Sequence, residues 1–172
     1  GDADTLRAEV RGNMARELRQ KLRSTTKERV MDALLSAADI LVPKAMIASE
    51  SKALKQQVLN DMRQSGQQAQ IDFPLDMFKD QAERRVKLGL LIGEIIKAAE
   101  LTVDNDRVRA MVAEFAESYE NPAEVVEHTL KDQQQRASVE NLVLEDQVVD
   151  WVLDQAQVEE EPSTFEALTA AT

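Results

Sequence analysis

The chain has 172 residues, of which 43% are hydrophobic and only 3% aromatic, so a core can form but consists mainly of aliphatic side chains. Five glycines and four prolines are too few for the many turns of an all-β domain, and the composition predicts an all-α fold. A formal net charge of −11 argues against direct contact with nucleic acid or an anionic membrane, and the absence of cysteine excludes disulfides and thiol chemistry.

The first predicted helix covers residues 4–38, which contain no proline and one glycine. Its apolar residues recur at every fourth position, at Leu6, Val10, Met14, Leu18 and Leu22. Because four residues exceed one 3.6-residue turn, this row drifts by about 40° per step and forms a thin, wrapping seam. At 1.5 Å per residue the helix is about 50 Å long. We therefore expect an elongated molecule.

The next two helices differ in the width of their apolar faces. Pro43 ends the first helix and suits the first position of the second. The second helix carries a narrow stripe and stops at Ser65-Gly66. The third, residues 75–99, is apolar over about half its circumference, so it requires more than one neighbour. Its Gly89 and Gly93 predict the close approach of another helix.

A similar pattern follows in the second half of the chain. Helix 105–118 has a narrow stripe, Pro122 introduces a short helix, and a longer helix covers residues 133–156. Residues 163–166 resemble a capping box for a last turn. Two helical hairpins are therefore predicted, at 43–100 and 104–156. Narrow stripes favour arms that project from a body and leave apolar surface accessible, whereas in the alternative the stripes meet each other in an ordinary bundle.

Charge is distributed unevenly along the sequence. Residues 7–29 contain eight basic and three acidic side chains, and no Lys or Arg follows Arg136. We expect the two ends of the chain to attract each other, although salt weakens such attraction.

The sequence offers little for catalysis. The single histidine, His128, has no evident partner, and the run Glu159–Glu161 is typical of a solvated surface. There is no glycine-rich phosphate loop, and the apolar run at residues 88–93 is far shorter than the ~20 residues of a membrane span. We predict no catalytic, metal or cofactor-binding residues, no cofactor and no membrane partner.

Four segments, in order, carry a resemblance to a known family. They are the basic-apolar helix at 84–96, Asp-Ile-x-Val-Pro with its sequel at 39–50, Ala-x-x-Tyr-Glu-x-Pro-x-Glu-Val at 116–125, and Thr-Phe-x-x-Leu at 164–168. Together they resemble the C-terminal chaperone domain of bacterial trigger factor over nearly the whole chain. The resemblance implies an ATP-independent chaperone of the bacterial cytoplasm that binds unfolded or nascent polypeptides.

The resemblance also implies what this fragment lacks. The family's ribosome-docking domain, its peptidyl-prolyl isomerase domain and a segment that packs on the helical body have no counterpart here. Contact with the ribosome is therefore expected only through those missing parts, and the chain itself is not expected to be an enzyme. The family dimerises when free, so a homodimer of this chain remains open.

The family's architecture implies one helical domain, residues 1–172. It would comprise a long body helix (1–42), a first arm (43–101), a second arm (102–156) and a C-terminal body segment (157–172).

Two sets of client-binding residues are predicted, with packing inside the chain as the alternative for each residue. The resemblance places the second-arm set at Phe115, Tyr119, Val125 and His128, and His128 departs from the family's usual aromatic or apolar group. The first-arm set is Met46, Ile47, Leu54, Val58 and Met62. The competing function is a structural helical scaffold or dimerisation module with one fixed partner.

Overall fold

A computed structural model describes residues 3–66, 72–117 and 119–170, and within these ranges the chain forms seven α-helices and no strand. The helices are α1 (Ala3–Ala37), α2 (Lys44–Gln64), α3 (Lys79–Ala98), α4 (Asn105–Ala116), α5 (Pro122–Lys131), α6 (Gln133–Gln155) and α7 (Phe165–Ala170). The prediction of an all-α fold is confirmed.

The ends of α2 follow from two backbone-directing residues. Pro43 adopts φ −61° and ψ 128°, so it lies in extended backbone just before α2 rather than inside its first turn as predicted. At the other end Ser65 donates its backbone N–H to the Asp61 carbonyl. Gly66 then takes φ +72°, a left-handed conformation in which a glycine has no steric penalty.

The helix predicted for residues 75–99 is divided. Leu75–Phe78 form a 3₁₀ turn after Pro74, and α3 begins only at Lys79. At the far end Glu100 has φ +52°, and the backbone N–H of Leu101 donates to the Ile96 carbonyl at 3.0 Å. This arrangement closes a helix by satisfying its last carbonyls.

Two later helices are capped by side chains. The Asp132 carboxylate accepts a hydrogen bond from the Gln135 backbone N–H at 2.8 Å and so caps α6. The Thr164 hydroxyl accepts one from the Ala167 backbone N–H at 3.2 Å. The predicted capping signal at 163–166 is thus one residue early, because Thr164 rather than Ser163 provides the cap.

The chain divides into two compact units, here called the terminal unit (residues 1–32 and 105–172) and the hairpin unit (residues 33–104). In the hairpin unit α2, the 3₁₀ turn and α3 pack on one another around Ile47, Leu54, Phe78 and Ala82. Phe73 meets Phe78 edge-on, with ring centroids 6.4 Å apart. The buried Ser51 hydroxyl donates to the Ile47 carbonyl at 2.8 Å, so this polar group is satisfied within its own helix.

In the terminal unit α4, α5 and α6 pack on one another. The buried apolar residues of α4 are spaced four apart, at Val108, Val112 and Ala116, while α6 buries Val143, Val148 and Val149. This spacing keeps one side of α4 against its neighbours and leaves the opposite side to solvent.

Ion pairs link α1 to the rest of the terminal unit. They are Arg16–Glu117, Arg23–Asp146, Lys27–Glu145 and Arg29–Glu161. The predicted attraction between the basic beginning and the acidic end of the chain is present in these pairs. Arg16, Arg23 and Lys27 lie within about 40° of one another around the helix, so they define its inner face.

The apolar row of α1 lies on the other side of that helix. Leu6, Val10, Met14 and Leu22 are exposed. Their row is centred about 160° from Arg16 at 100° per residue. The seam predicted from sequence is thus present and lies opposite Arg16, Arg23 and Lys27. Leu18 of the same row is half-buried, however, and Arg29, which pairs with Glu161, lies on the side of the seam.

The glycine pair of α3 does not behave as predicted. Apart from the two chain neighbours and the adjacent backbone of α3 itself, no atom of the described chain lies within 4 Å of the position that a Cβ would take at Gly89 or Gly93. The expected close approach of a second helix is therefore not found in this structure.

Candidate functional site

The last turn of α4 presents two aromatic side chains to solvent. Phe115 is 62% exposed and Tyr119, just beyond the helix, is 48% exposed. Their ring centroids are 5.4 Å apart, with an angle of 50° between the ring planes. The Tyr119 backbone N–H donates to the Ala116 carbonyl at 3.0 Å, which continues the helical turn and brings the two rings side by side.

The short helix α5 contributes the remaining members of the second-arm set. Asn121 precedes the helix and Pro122 is its first residue, where the missing N–H of proline costs nothing. Val125 and His128 are three residues apart and hence lie on the same face of α5. Val125 is partly buried and His128 is exposed.

These four residues line one open groove with a volume of about 610 Å³, here called the α4–α5 groove. Its other lining residues come from the turn, from α5 and from the start of α6, and they are Glu120, Asn121, Glu124, Thr129 and Gln135. The structure therefore brings the whole second-arm set together within the terminal unit. The role of these side chains in client binding remains a prediction.

The groove combines an apolar surface with negative charge. Glu120 and Glu124 are acidic, and no Lys or Arg is among the lining residues. The groove can therefore bind apolar side chains, form hydrogen bonds and attract a positively charged group. Its lining residues include no activated nucleophile.

Five lining residues were not predicted as part of the site. Glu124 and Thr129 were within reach of sequence reasoning, because they share the face of α5 with His128 and Val125 at a spacing of four residues. Glu120 and Asn121 lie in the 116–125 motif, which was used only for the family resemblance. Gln135 belongs to a different helix, and no local pattern links it to the groove.

The first-arm set is divided by the structure. Met46 is exposed, and Val58 and Met62 are partly buried. Ile47 and Leu54 are only 9% and 5% exposed, because they face Phe78 and Ala82 in the hairpin-unit core. The expectation that Ile47 and Leu54 remain accessible is wrong in this conformation, and packing inside the chain holds for both residues.

A second groove of about 540 Å³ lies in the hairpin unit, between the start of α2 and the 3₁₀ turn. It combines apolar residues such as Val42, Ala48 and Leu75 with charged side chains of both signs, among them Lys44 and Asp76. Ile47 reaches this groove from the core.

The described residues contain no group of three or more His, Cys, Asp or Glu side chains arranged to hold a metal ion. In the same residues, no helix is both long and apolar enough to cross a bilayer.

The family of the chain follows from comparison with known sequences. The profile described as bacterial trigger factor protein C-terminus matches residues 2–154. The chain belongs to the trigger factor C-terminal family.

Curated trigger factors resemble it along its full length. The chain is 41% identical over 169 residues to trigger factor of Herminiimonas arsenicoxydans, an alignment that covers 98% of this chain and 38% of that protein. It is 44% identical over 174 aligned positions to the trigger factors of Burkholderia mallei (strain SAVP1) and Burkholderia pseudomallei (strain 668), covering 100% of this chain and 39% of each relative. The chain thus spans about two fifths of the length of these trigger factors.

Proposed function

We propose that this trigger factor C-terminal chain is an ATP-independent chaperone module that binds apolar segments of unfolded or nascent polypeptides in the α4–α5 groove. The observation that carries the proposal is the exposure of Phe115 and Tyr119 beside Val125 in one open groove. Two neighbouring aromatic rings left in solvent are typical of an interaction surface.

The size of the groove favours weak, reversible binding. Burying about 100 Å² of apolar surface contributes only ~2.5 kcal/mol. A client held at one such patch dissociates quickly, and several linked patches together raise its residence time. Such a surface protects an unfolded chain without preventing it from folding.

The setting that we propose is the bacterial cytoplasm. Contact with the ribosome and prolyl isomerisation are assigned to parts of the relatives that this chain does not align with, and no catalysis is proposed for the chain itself. Ile47 and Leu54 are left out of the proposed contact surface because they are buried. Met46, Val58 and Met62 remain proposed contacts on the hairpin unit.

The test is suppression of aggregation by the chain and by a double variant, Phe115→Ala with Tyr119→Ala. We expect the chain to slow aggregation of several unrelated unfolded proteins at near-stoichiometric ratio. The double variant should lose most of this protection while its melting temperature is retained, because both side chains are largely exposed. Light scattering and thermal unfolding by circular dichroism measure the two effects.

Leu142→Ala is the matched control, because Leu142 is an exposed apolar residue of the terminal unit outside the groove. Equal protection by the parent chain and the groove variant would remove the groove from the proposal. A large fall in melting temperature would instead assign Phe115 and Tyr119 to the fold.

A scaffold or dimerisation module remains the second candidate, supported by the exposed row of Leu6, Val10, Met14 and Leu22 on α1. A continuous apolar row suits one fixed partner better than many different ones. Failure to protect any unfolded protein in the same assay would favour this candidate.

A further inference from the structure

Hydrogen-bonding side chains lie beside the aromatic ones in the α4–α5 groove. Asn121, Thr129 and Gln135 all line it. Asn121 occupies the N-cap position of α5, where asparagine commonly accepts a hydrogen bond from the helix, yet its side chain makes no such bond. Gln135 donates its backbone N–H to Asp132 and also lines the groove, and that bond does not use its side-chain amide. The groove therefore offers hydrogen-bonding groups as well as apolar surface.

A polypeptide bound in the groove has main-chain groups that need hydrogen-bond partners. When its apolar side chains cover Phe115 and Tyr119, the neighbouring main-chain N–H and C=O groups also lose contact with water. A main-chain group that loses water without a new partner weakens binding. Every client carries these groups whatever its sequence.

We propose that Asn121, Thr129 and Gln135 bind the main-chain amide groups of an extended client segment, while Phe115, Tyr119 and Val125 bind its apolar side chains. This inference rests on the proposed chaperone function and specifies how the same site recognises its substrate. The ligand class is an extended polypeptide, recognised through its backbone.

The chemistry of the three residues suits this role. Carboxamides carry both a donor and an acceptor, as does a hydroxyl, so each can pair with either an N–H or a C=O of the client. An extended chain directs successive side chains to opposite sides and leaves its main-chain groups along the edges. Contacts made to the main chain are the same for every sequence, which gives the groove tolerance towards different clients.

The test uses two fluorescent peptides of one short apolar sequence, one with ordinary amides and one N-methylated at alternate residues. N-methylation removes main-chain donors without removing side chains. We expect the methylated peptide to bind the parent chain about five-fold more weakly, as measured by fluorescence anisotropy, since a net hydrogen bond changes affinity by roughly that factor.

The variant Asn121→Ala with Gln135→Ala should bind the ordinary peptide more weakly than the parent chain does, by about the same factor. It should also bind the two peptides with equal affinity. Gln135→Ala alone serves as a second variant that leaves the start of α5 untouched. The matched control is Asn141→Ala with Gln134→Ala, two exposed residues of α6 outside the groove, which should bind like the parent chain.

The outcomes separate this inference from the proposed function. Equal binding of the two peptides to the parent chain, together with loss of binding in the Phe115→Ala, Tyr119→Ala variant, would overturn main-chain recognition and leave the chaperone groove in place. If neither peptide binds the parent chain, both main-chain recognition and the proposed chaperone function would be overturned.

Discussion

Phe115 and Ala116 are neighbours in the chain but have opposite environments. Ala116 is fully buried at the contact of α4 with its neighbours, whereas Phe115 is largely exposed. One residue corresponds to about 100° of rotation around a helix, and the seven-residue step from the buried Val108 to Phe115 brings these two to within about 20° of each other. Helical phase alone would therefore predict a packed Phe115, yet the ring at the end of α4 is exposed in the α4–α5 groove.

The family resemblance, rather than spacing, singled out the second-arm set, and its role in binding stays a prediction. The structure brings these residues together because they are close in sequence, and Phe115 and Tyr119 follow one helical row. The first-arm set shows the limit of the same reasoning. A narrow stripe containing Ile47 and Leu54 describes one helix, but it contains no information on whether Phe78 from another segment covers it. Gln135 was unpredictable for the same physical reason.

The ion pair of Asp72 with Lys55 leads to a prediction about the pKa of one carboxylate. The Lys55 ammonium donates a hydrogen bond to the Asp72 carboxylate at 2.5 Å, and this bond and the attraction of the two charges lower the pKa of Asp72 below its ordinary value. A lowered pKa in the folded chain means that the pair stabilises the fold above the pKa of the unfolded state. That contribution is lost as the pH falls through the folded-state pKa.

We expect Lys55→Met to raise the pKa of Asp72 towards that of a free aspartate, as measured by carboxyl ¹³C NMR titration. Lys52→Met is the control, because Lys52 is an exposed lysine on the same helix outside this pair. An unchanged Asp72 titration in the Lys55 variant would show that the ion pair does not form in solution.

At the scale of elements, the helix boundaries were the most predictable feature. Pro43 and Pro122 have φ fixed by their rings, whereas Gly66 can adopt a left-handed φ without steric penalty, and α2 and α5 begin or end beside these residues. The 3₁₀ turn at Leu75–Phe78 was missed, because its residues suit an α-helix equally well. Burial of Phe78 in the hairpin-unit core accompanies the tighter turn.

The cap of α6 provides a prediction about an element. Asp132 lies between α5 and α6: its backbone N–H donates to the His128 carbonyl at 3.0 Å, and its side chain caps α6. Asp132→Ala keeps the first bond and removes the second, so we expect a loss of about 1 kcal/mol in the free energy of unfolding.

Urea unfolding measures this loss, and hydrogen exchange should become faster in the first turn of α6. Asp132→Asn keeps an acceptor at the same position and should retain most of the stability. Equal destabilisation by alanine and asparagine would show that charge rather than capping matters at this position.

At the scale of the whole molecule, the buried apolar residues that the structure describes form a core in each of the two units. One includes Leu54, Phe78 and Ala82 in the hairpin unit, and the other includes Val112 and Val148 in the terminal unit. The chain therefore contains two sets of apolar contacts, each of which stabilises its own unit.

We expect Leu54→Ala to lower the free energy that protects the hairpin-unit amides from hydrogen exchange by about 2–5 kcal/mol. The protection of the terminal-unit amides should stay nearly unchanged. Val112→Ala should lower the protection of the terminal-unit amides, on the order of 2 kcal/mol, and leave the hairpin-unit amides nearly unchanged. Native-state hydrogen exchange resolves the two sets of amides. Equal losses in both units from either substitution would show that the chain unfolds as one cooperative body.

The vacant surface beside Gly89 and Gly93 has a practical consequence for protein engineering. Glycine inside a helix costs roughly 1 kcal/mol relative to alanine, and a methyl group at either position would meet no described atom other than its chain neighbours and the adjacent backbone of α3. Replacing both with alanine would raise the thermal tolerance of the hairpin unit without altering any residue of the α4–α5 groove. The thermal stability of the domain can thus be changed without changing its binding surface.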